Sequence, residues 1–125
     1  MRLLIDTHIL LWWVAGDNAL PRRARELISN PNNTVFLSAV SLWEIWMKVS
    51  LGKLRLPANF EQRLKDEAFE PLPMTAVHAR GVETLEWHHR DPFDRMLVAQ
   101  ASVSRLRLLT ADSKMSAYGA HVLVC

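Results

Sequence analysis

The chain has a single cysteine, Cys125, and four glycines among 125 residues. One cysteine excludes an internal disulfide framework and agrees with a reducing compartment. No apolar run approaches the roughly 18 residues that a membrane span needs. The opening stretch MRLLIDTHILLWW begins like a secretory signal, with a basic Arg2 and apolar residues after it. A signal core of roughly 7–15 unbroken apolar residues is nevertheless lacking, because Asp6 and His8 interrupt it. Low-complexity tracts, internal repeats and linker-like segments are missing too. Charge of one sign is scarce: 15 Lys and Arg against 13 Asp and Glu leave +2. These absences lead us to expect a soluble, cytoplasmic protein with no membrane association, folded as one domain over residues 1–125. The half of the residues that is hydrophobic is enough for a packed core and argues against disorder.

What is present alternates short apolar strands with helices. Arg2 to Ile5 reads as a buried strand, and His8 to Ala15 as a helix ending at Gly16. Pro21 suits the start of a helix RRARELIS. TVFL, residues 34–37, is a second strand, after which Ser38 caps a helix running to about Leu51 and Gly52. A helix over 59–68, a short strand in EPLPM and a helix over 75–87 follow. DPFDRMLVAQASVSR reads as a long helix starting near Asp91. Strands at 106–110 and 121–124 complete the chain. Such alternation predicts an α/β domain, its short, mainly parallel central sheet of about four or five strands covered by helices on both faces.

Parallel sheets of this kind place ligands at the carboxyl ends of their strands. Asp6 directly follows the first strand, between two apolar runs, where an unpaired carboxylate would be costly. Asp112 lies two residues beyond the strand at 106–110. The helix SAVSLWEIWMKVSLG is apolar nearly all round except for Ser41, Glu44 and Lys48, whose spacing puts them on one stripe. Asp91 and Asp94 share the N-terminal turn of the long helix, where the helix dipole favours carboxylates. Each acid has an ordinary structural explanation: Asp91 as an N-cap, Asp94 as a first-turn acid, Glu44 as a partner of Lys48, Asp112 as a turn residue. What weighs against four separate explanations is their convergence on one sheet edge. Carboxylates so close together repel unless a cation sits among them. Oxygen-rich clusters suit Mg²⁺ or Mn²⁺ rather than zinc, and such ions serve phosphodiester hydrolysis.

Taken in order, IDTH, SLWEI, DPFDRMLVAQA and LLTADS resemble the motifs of PIN-domain ribonucleases, and among those the VapC-like toxins of type II toxin–antitoxin pairs. The resemblance spans essentially the whole chain. It implies a PIN-like fold and a Mg²⁺-dependent RNA endonuclease, Mn²⁺ being the other candidate ion. Its acidic quartet would be Asp6, Glu44, Asp94 and Asp112. Asp94 is preferred over Asp91 because Ala99 and Ala101 stand five and seven positions after it, as in the family's helix pattern. Asp91 becomes auxiliary, and His8 replaces the small polar residue often found there. The resemblance further implies an RNA substrate, a cognate antitoxin and a homodimer.

Thr7, Ser38 and Thr110 could give hydroxyl hydrogen bonds to the acids or to phosphate, though a cap or turn role explains each as well. Setting aside the four assigned acids leaves 9 against 15 basic residues, about +6, which favours phosphate binding. Lys48 and Arg95, close to the acids in sequence, are the candidates for substrate contact, while Arg22, Arg23 and Arg25 read as a solvated face. His78, His88, His89 and His121 show no zinc-ligand spacing and read as surface or core residues. Trp12, Trp13, Trp43 and Trp46 lie on two helices, some as core and some as a partner's anchor. Competing readings are a housekeeping PIN nuclease, a phosphoacceptor, a dehalogenase-like phosphatase and a non-catalytic binding module. The phosphoacceptor would want adjacent acids after LLI, and the phosphatase a second acid where His8 stands.

Overall fold

A computed structural model describes residues 1–125 and shows five parallel strands in one sheet. In chain order the strands are β1 (Arg2–Ile5), β2 (Thr34–Ser38), β3 (Glu70–Leu72), β4 (Arg107–Thr110) and β5 (Val122–Val124). The helices are α1 (Thr7–Ala15), α2 (Arg22–Ser29), α3 (Ala39–Ser50), α4 (Phe60–Asp66), α5 (Ala76–Gly81) and α6 (Pro92–Ser104), with a 3₁₀ helix at Ser113–Tyr118. Across the sheet the order is β3-β2-β1-β4-β5. The chain therefore builds outward from β1 to β3, then crosses back to begin β4 on the other side of β1. That reversal leaves a crevice at the carboxyl ends of β1 and β4, the place where sheets of this kind bind ligands.

Side chains that alternate along each strand go to opposite faces, and both faces are buried. Ile5, Val35, Leu37, Leu109 and Leu123 pack with Ile9 and Leu10 of α1, Ala24 of α2, Ile45 of α3 and Phe60 of α4. Leu4, Leu108 and Val122 pack on the other face with Leu97, Val98 and Ala101 of α6 and with Met115. This two-sided burial is why the strands read as continuous apolar runs. The small residues after Asp94 also acquire a reason: Ala101 is buried in the core, and Ala99 lets α5 approach. A Cβ built on Gly81 of α5 would sit 3.5 Å from the Ala99 Cβ and 3.1 Å from Val103 Cγ2.

The helix expected over 75–87 is much shorter, ending at Gly81. Beyond it the backbone turns through Glu83 N–H to Arg80 O and Leu85 N–H to Val82 O, bonds that span three residues rather than four. The Arg95 guanidinium donates to the carbonyl oxygens of Leu85 (3.2 Å) and Glu86 (2.7 Å) and so holds this non-helical segment against α6. The long helix also stops one residue early, at Ser104, with Arg105 in the left-handed region.

Candidate active site

Asp6 continues β1 by one residue, its N–H donating to Leu109 O of β4 (3.1 Å), and then caps α1 by accepting from Ile9 N–H (2.9 Å). Asp91 caps α6, accepting from the N–H groups of Phe93 (2.8 Å) and Asp94 (3.0 Å). Asp112 caps the 3₁₀ helix, accepting from Lys114 N–H (3.0 Å). Three helical N-termini thus open toward the crevice, each presenting an acid to it. Their positive ends offset part of the carboxylate charge. Capping alone accounts for one oxygen of each acid.

The remaining geometry brings the acids together. Asp6, Asp94 and Asp112 line one cavity of about 210 Å³, with His8, Trp12 and Ala111 around it. Glu44 lies close enough to add its charge to that of Asp94, as do Asp6 and Asp91. Burial, reinforced by Asp91 and Asp6, pushes the Asp94 carboxyl up to about 6. Burial also raises Asp6, against the opposing hydrogen bonds from Ile9 and Thr110. Glu44 is 3% exposed. Lys48 Nζ meets its Oε2 at 2.6 Å, but Oε1 is buried without any hydrogen-bond partner.

The supporting residues divide. Thr110 is fully buried, hydrogen-bonds Asp6 and accepts from Asp112 N–H (3.1 Å), so it ties the two strand-end acids together. Thr7 donates instead to Ser41 Oγ (3.1 Å), joining α1 to α3. Ser38 caps α3 and donates to Gln100 Oε1, away from the acids. Lys48 is committed to Glu44, a bond that also raises its own pKa. Arg95, a candidate for substrate contact, is 3% exposed. It is held by Leu85 O, Glu86 O and Tyr118 Oη, with its guanidinium 3.6 Å from the centre of the Trp87 ring. One residue along a helix is a rotation of about 100°, so Arg95 faces away from its neighbour Asp94.

Sequence reasoning missed His89. Its Nε2 is 3.5 Å from Asp94 Oδ2 and 3.4 Å from Asp112 Oδ2, so the three side chains form a group able to surround an ion. Its Nδ1 accepts from Asp91 N–H (3.0 Å), which puts the proton of the neutral ring on Nε2, facing the carboxylates. The one available signal was local: a histidine two residues before a capping aspartate can bond that aspartate's own N–H.

Comparisons with known proteins agree with this architecture. Residues 3–120 match the family model described as PIN domain. A sequence search of curated proteins gives no match. Among solved structures, the chain is similar to one from VapBC2 of Rickettsia felis bound to a promoter DNA fragment, with TM-score 0.73 and 17% identity, covering 100% of this chain and 98% of that one. FitAcB from Neisseria gonorrhoeae matches with TM-score 0.70 and 20% identity, covering 97% and 96%. VapBC-5 from Mycobacterium tuberculosis, a toxin–antitoxin system, matches with TM-score 0.62 and 22% identity, covering 98% and 96%.

Proposed function

This chain belongs to the PIN-domain family, and from that premise we propose that it is a metal-dependent RNA endonuclease, the toxin of a bacterial toxin–antitoxin pair. The observation that carries the proposal is the orphaned Glu44 Oε1, buried without a partner beside Asp94 and Asp6, whose carboxyls burial pushes up, with repulsion from Asp91 and Asp6 adding to the shift at Asp94. A buried charged oxygen with nothing to bond is costly, and a cation removes both that cost and the crowding. The donors are carboxylate oxygens, with one imidazole beside them, which suits Mg²⁺ or Mn²⁺. Asp6, Asp94 and Asp112 would hold the ion, with Glu44 completing the set.

A divalent ion there supplies Lewis-acid activation of water and charge stabilisation at the leaving oxygen of a phosphodiester. The chain supplies the order. Capping bonds from Ile9 and Lys114 and the Thr110 hydroxyl hold Asp6 and Asp112 in place. Asp91 steadies the first turn that carries Asp94. Lys48 orients Glu44, leaving its second oxygen to take a proton from water or to bind.

The toxin reading is supported by the likeness to VapBC-5, from a toxin–antitoxin system, a chain that this one covers almost end to end. It carries with it an antitoxin partner, a homodimer and a cytoplasmic setting. The test is cleavage of single-stranded RNA by the purified chain with Mg²⁺, with Mn²⁺ and after chelation, beside Asp6→Asn and Asp94→Asn. Cleavage only in the metal-loaded, unsubstituted protein is expected. Equal cleavage after chelation, or in either variant, overturns the mechanism. Growth arrest on expression, relieved by the product of an adjacent gene, is the outcome expected of a toxin.

A further inference from the structure

A second cavity, of about 380 Å³, lies beside the acidic one between α1, α3 and the segment that follows α3. His8 and Trp12 line both, so the two adjoin. We propose that this second cavity is a nucleotide subsite, seating one unpaired RNA residue next to the phosphodiester held at the acids. The proposal rests on the nuclease reading above and names where its substrate continues.

Three observations converge on a nucleotide. The volume falls at the small end of ligand pockets, room for one nucleotide rather than a helix. Trp12 is half-buried and packed against the core, so its ring is held rigidly where it borders the cavity. A fixed aromatic face of this kind stacks any base, and the apolar Leu11, Leu54 and Pro57 complement it. The cations are the third. Lys53 and Arg55 are exposed at the cavity and form no ion pair, while Lys48 is held by Glu44. One acid, Asp17, opposes them. The pattern is an acidic cavity that needs a cation, next to an aromatic cavity edged by free cations. A phosphodiester chain satisfies both, placing the reacting phosphate at the acids and its neighbour near Lys53 and Arg55. An apolar peptide in the same place would leave both cations to be desolvated without partners. A duplex does not fit, because paired bases cannot reach a side wall.

The test measures binding without cleavage, using the whole chain in chelator and a fluorescein-labelled six-nucleotide single-stranded RNA followed by anisotropy. Lys53→Ala with Arg55→Ala is expected to weaken binding about tenfold and to reduce the slope of log affinity against log salt by about 1.4, the value for two lost phosphate contacts on a single strand. Trp12→Leu is expected to weaken binding by about five- to tenfold with the salt slope unchanged, as loss of stacking requires. Metal-loaded hydrolysis of bis(p-nitrophenyl) phosphate by the unsubstituted chain, a substrate with no second phosphate for these cations to hold, reports the acidic centre separately. Unaltered RNA affinity in the double variant overturns the proposal. So does duplex RNA binding as tightly as the single strand, or an antitoxin peptide filling the cavity while RNA affinity stays the same. Failure of the nuclease reading looks different: no phosphodiester is hydrolysed, whatever the binding data show.

Discussion

Helix α6 carries two buried polar clusters, and they are built on opposite terms. In its first turn Asp94 joins Asp6, Asp112 and Glu44, a group in which an oxygen is orphaned and two carboxyls are raised. Two turns later Gln100, fully buried, joins Ser38, His78 and Ser104. There every group has a partner: Ser38 donates to Gln100 Oε1, Gln100 Nε2 meets His78 Nδ1 (3.3 Å), and His78 Nε2 meets Ser104 Oγ (2.8 Å). The second cluster is neutral and closed, so it locks β2, α5 and α6 together and has nothing left to offer a ligand. The first is charged and incomplete. Burial of polar groups by itself does not distinguish function from structure; the difference here is that the charged cluster keeps an unpartnered carboxylate oxygen and the neutral one keeps none.

The largest effect should separate the two clusters outright. Asp94→Asn or Asp6→Asn removes charge that stabilises the reacting phosphate through the ion, worth several kcal/mol. That is a loss of at least about 10³-fold in RNA cleavage, measured beside an unimpaired melting temperature. Gln100→Leu should do the reverse: it strands Ser38 and His78, costing about 1–3 kcal/mol of stability in urea or thermal unfolding, while Mn²⁺ affinity is unchanged. An equal loss of metal affinity in Gln100→Leu would erase the distinction.

His89 sharpens the comparison, since it belongs to the incomplete cluster but is not an acid. His89→Ala should weaken Mn²⁺ binding, measured calorimetrically, by about 10–100-fold, as loss of a group that orients metal ligands does. His89→Gln, which keeps a polar arm of similar reach, should recover part of it.

The smallest effect concerns pH. Asp94 titrates at about 6 in the folded chain against 3.8 for an ordinary aspartate. In the metal-free protein the native state therefore holds more protons than the unfolded state between those values, and stability falls as pH rises through that window. Above pH 6 the full penalty applies, roughly 1–2 kcal/mol once solvent screening is allowed for. Metal-free Asp94→Asn should accordingly be more stable than the parent at pH 7 and nearly equal at pH 4. Saturating Mn²⁺ should remove the difference at pH 7 in the parent's favour, by about 2.7 kcal/mol at a hundredfold excess over Kd.

The two clusters also differ in how far they could be read from residues alone. Asp6 stood out because apolar runs flank it, and Glu44 because it interrupts an otherwise apolar helix. The capping bonds of Asp91 and Asp112 and the parallel sheet follow from local chemistry of the same kind. The pairing of Ser38 with Gln100 could not be read, since it joins residues 62 apart in sequence through side chains that look unremarkable in both segments. Arg95 misled because adjacency in sequence suggested adjacency in space, although consecutive helical residues never share a face. The same side chain holds Leu85 and Glu86, in the part of the expected 75–87 helix that is irregular instead.

Periodicity and turn chemistry determined which segments are strands and helices, which faces they bury, and that acids stand at strand ends and helix starts. These are consequences of one to four neighbouring residues, and a sequence records them directly. Only the tertiary structure decided that β4 lies beside β1, bringing Asp112 to Asp6, and that the irregular segment after α5 returns His89 to Asp94 and Asp112. It also decided that Glu44 would be left one partner short. Such facts depend on distances between segments far apart in the chain, which no local pattern encodes. The chemistry of this protein lies in that closing of distances.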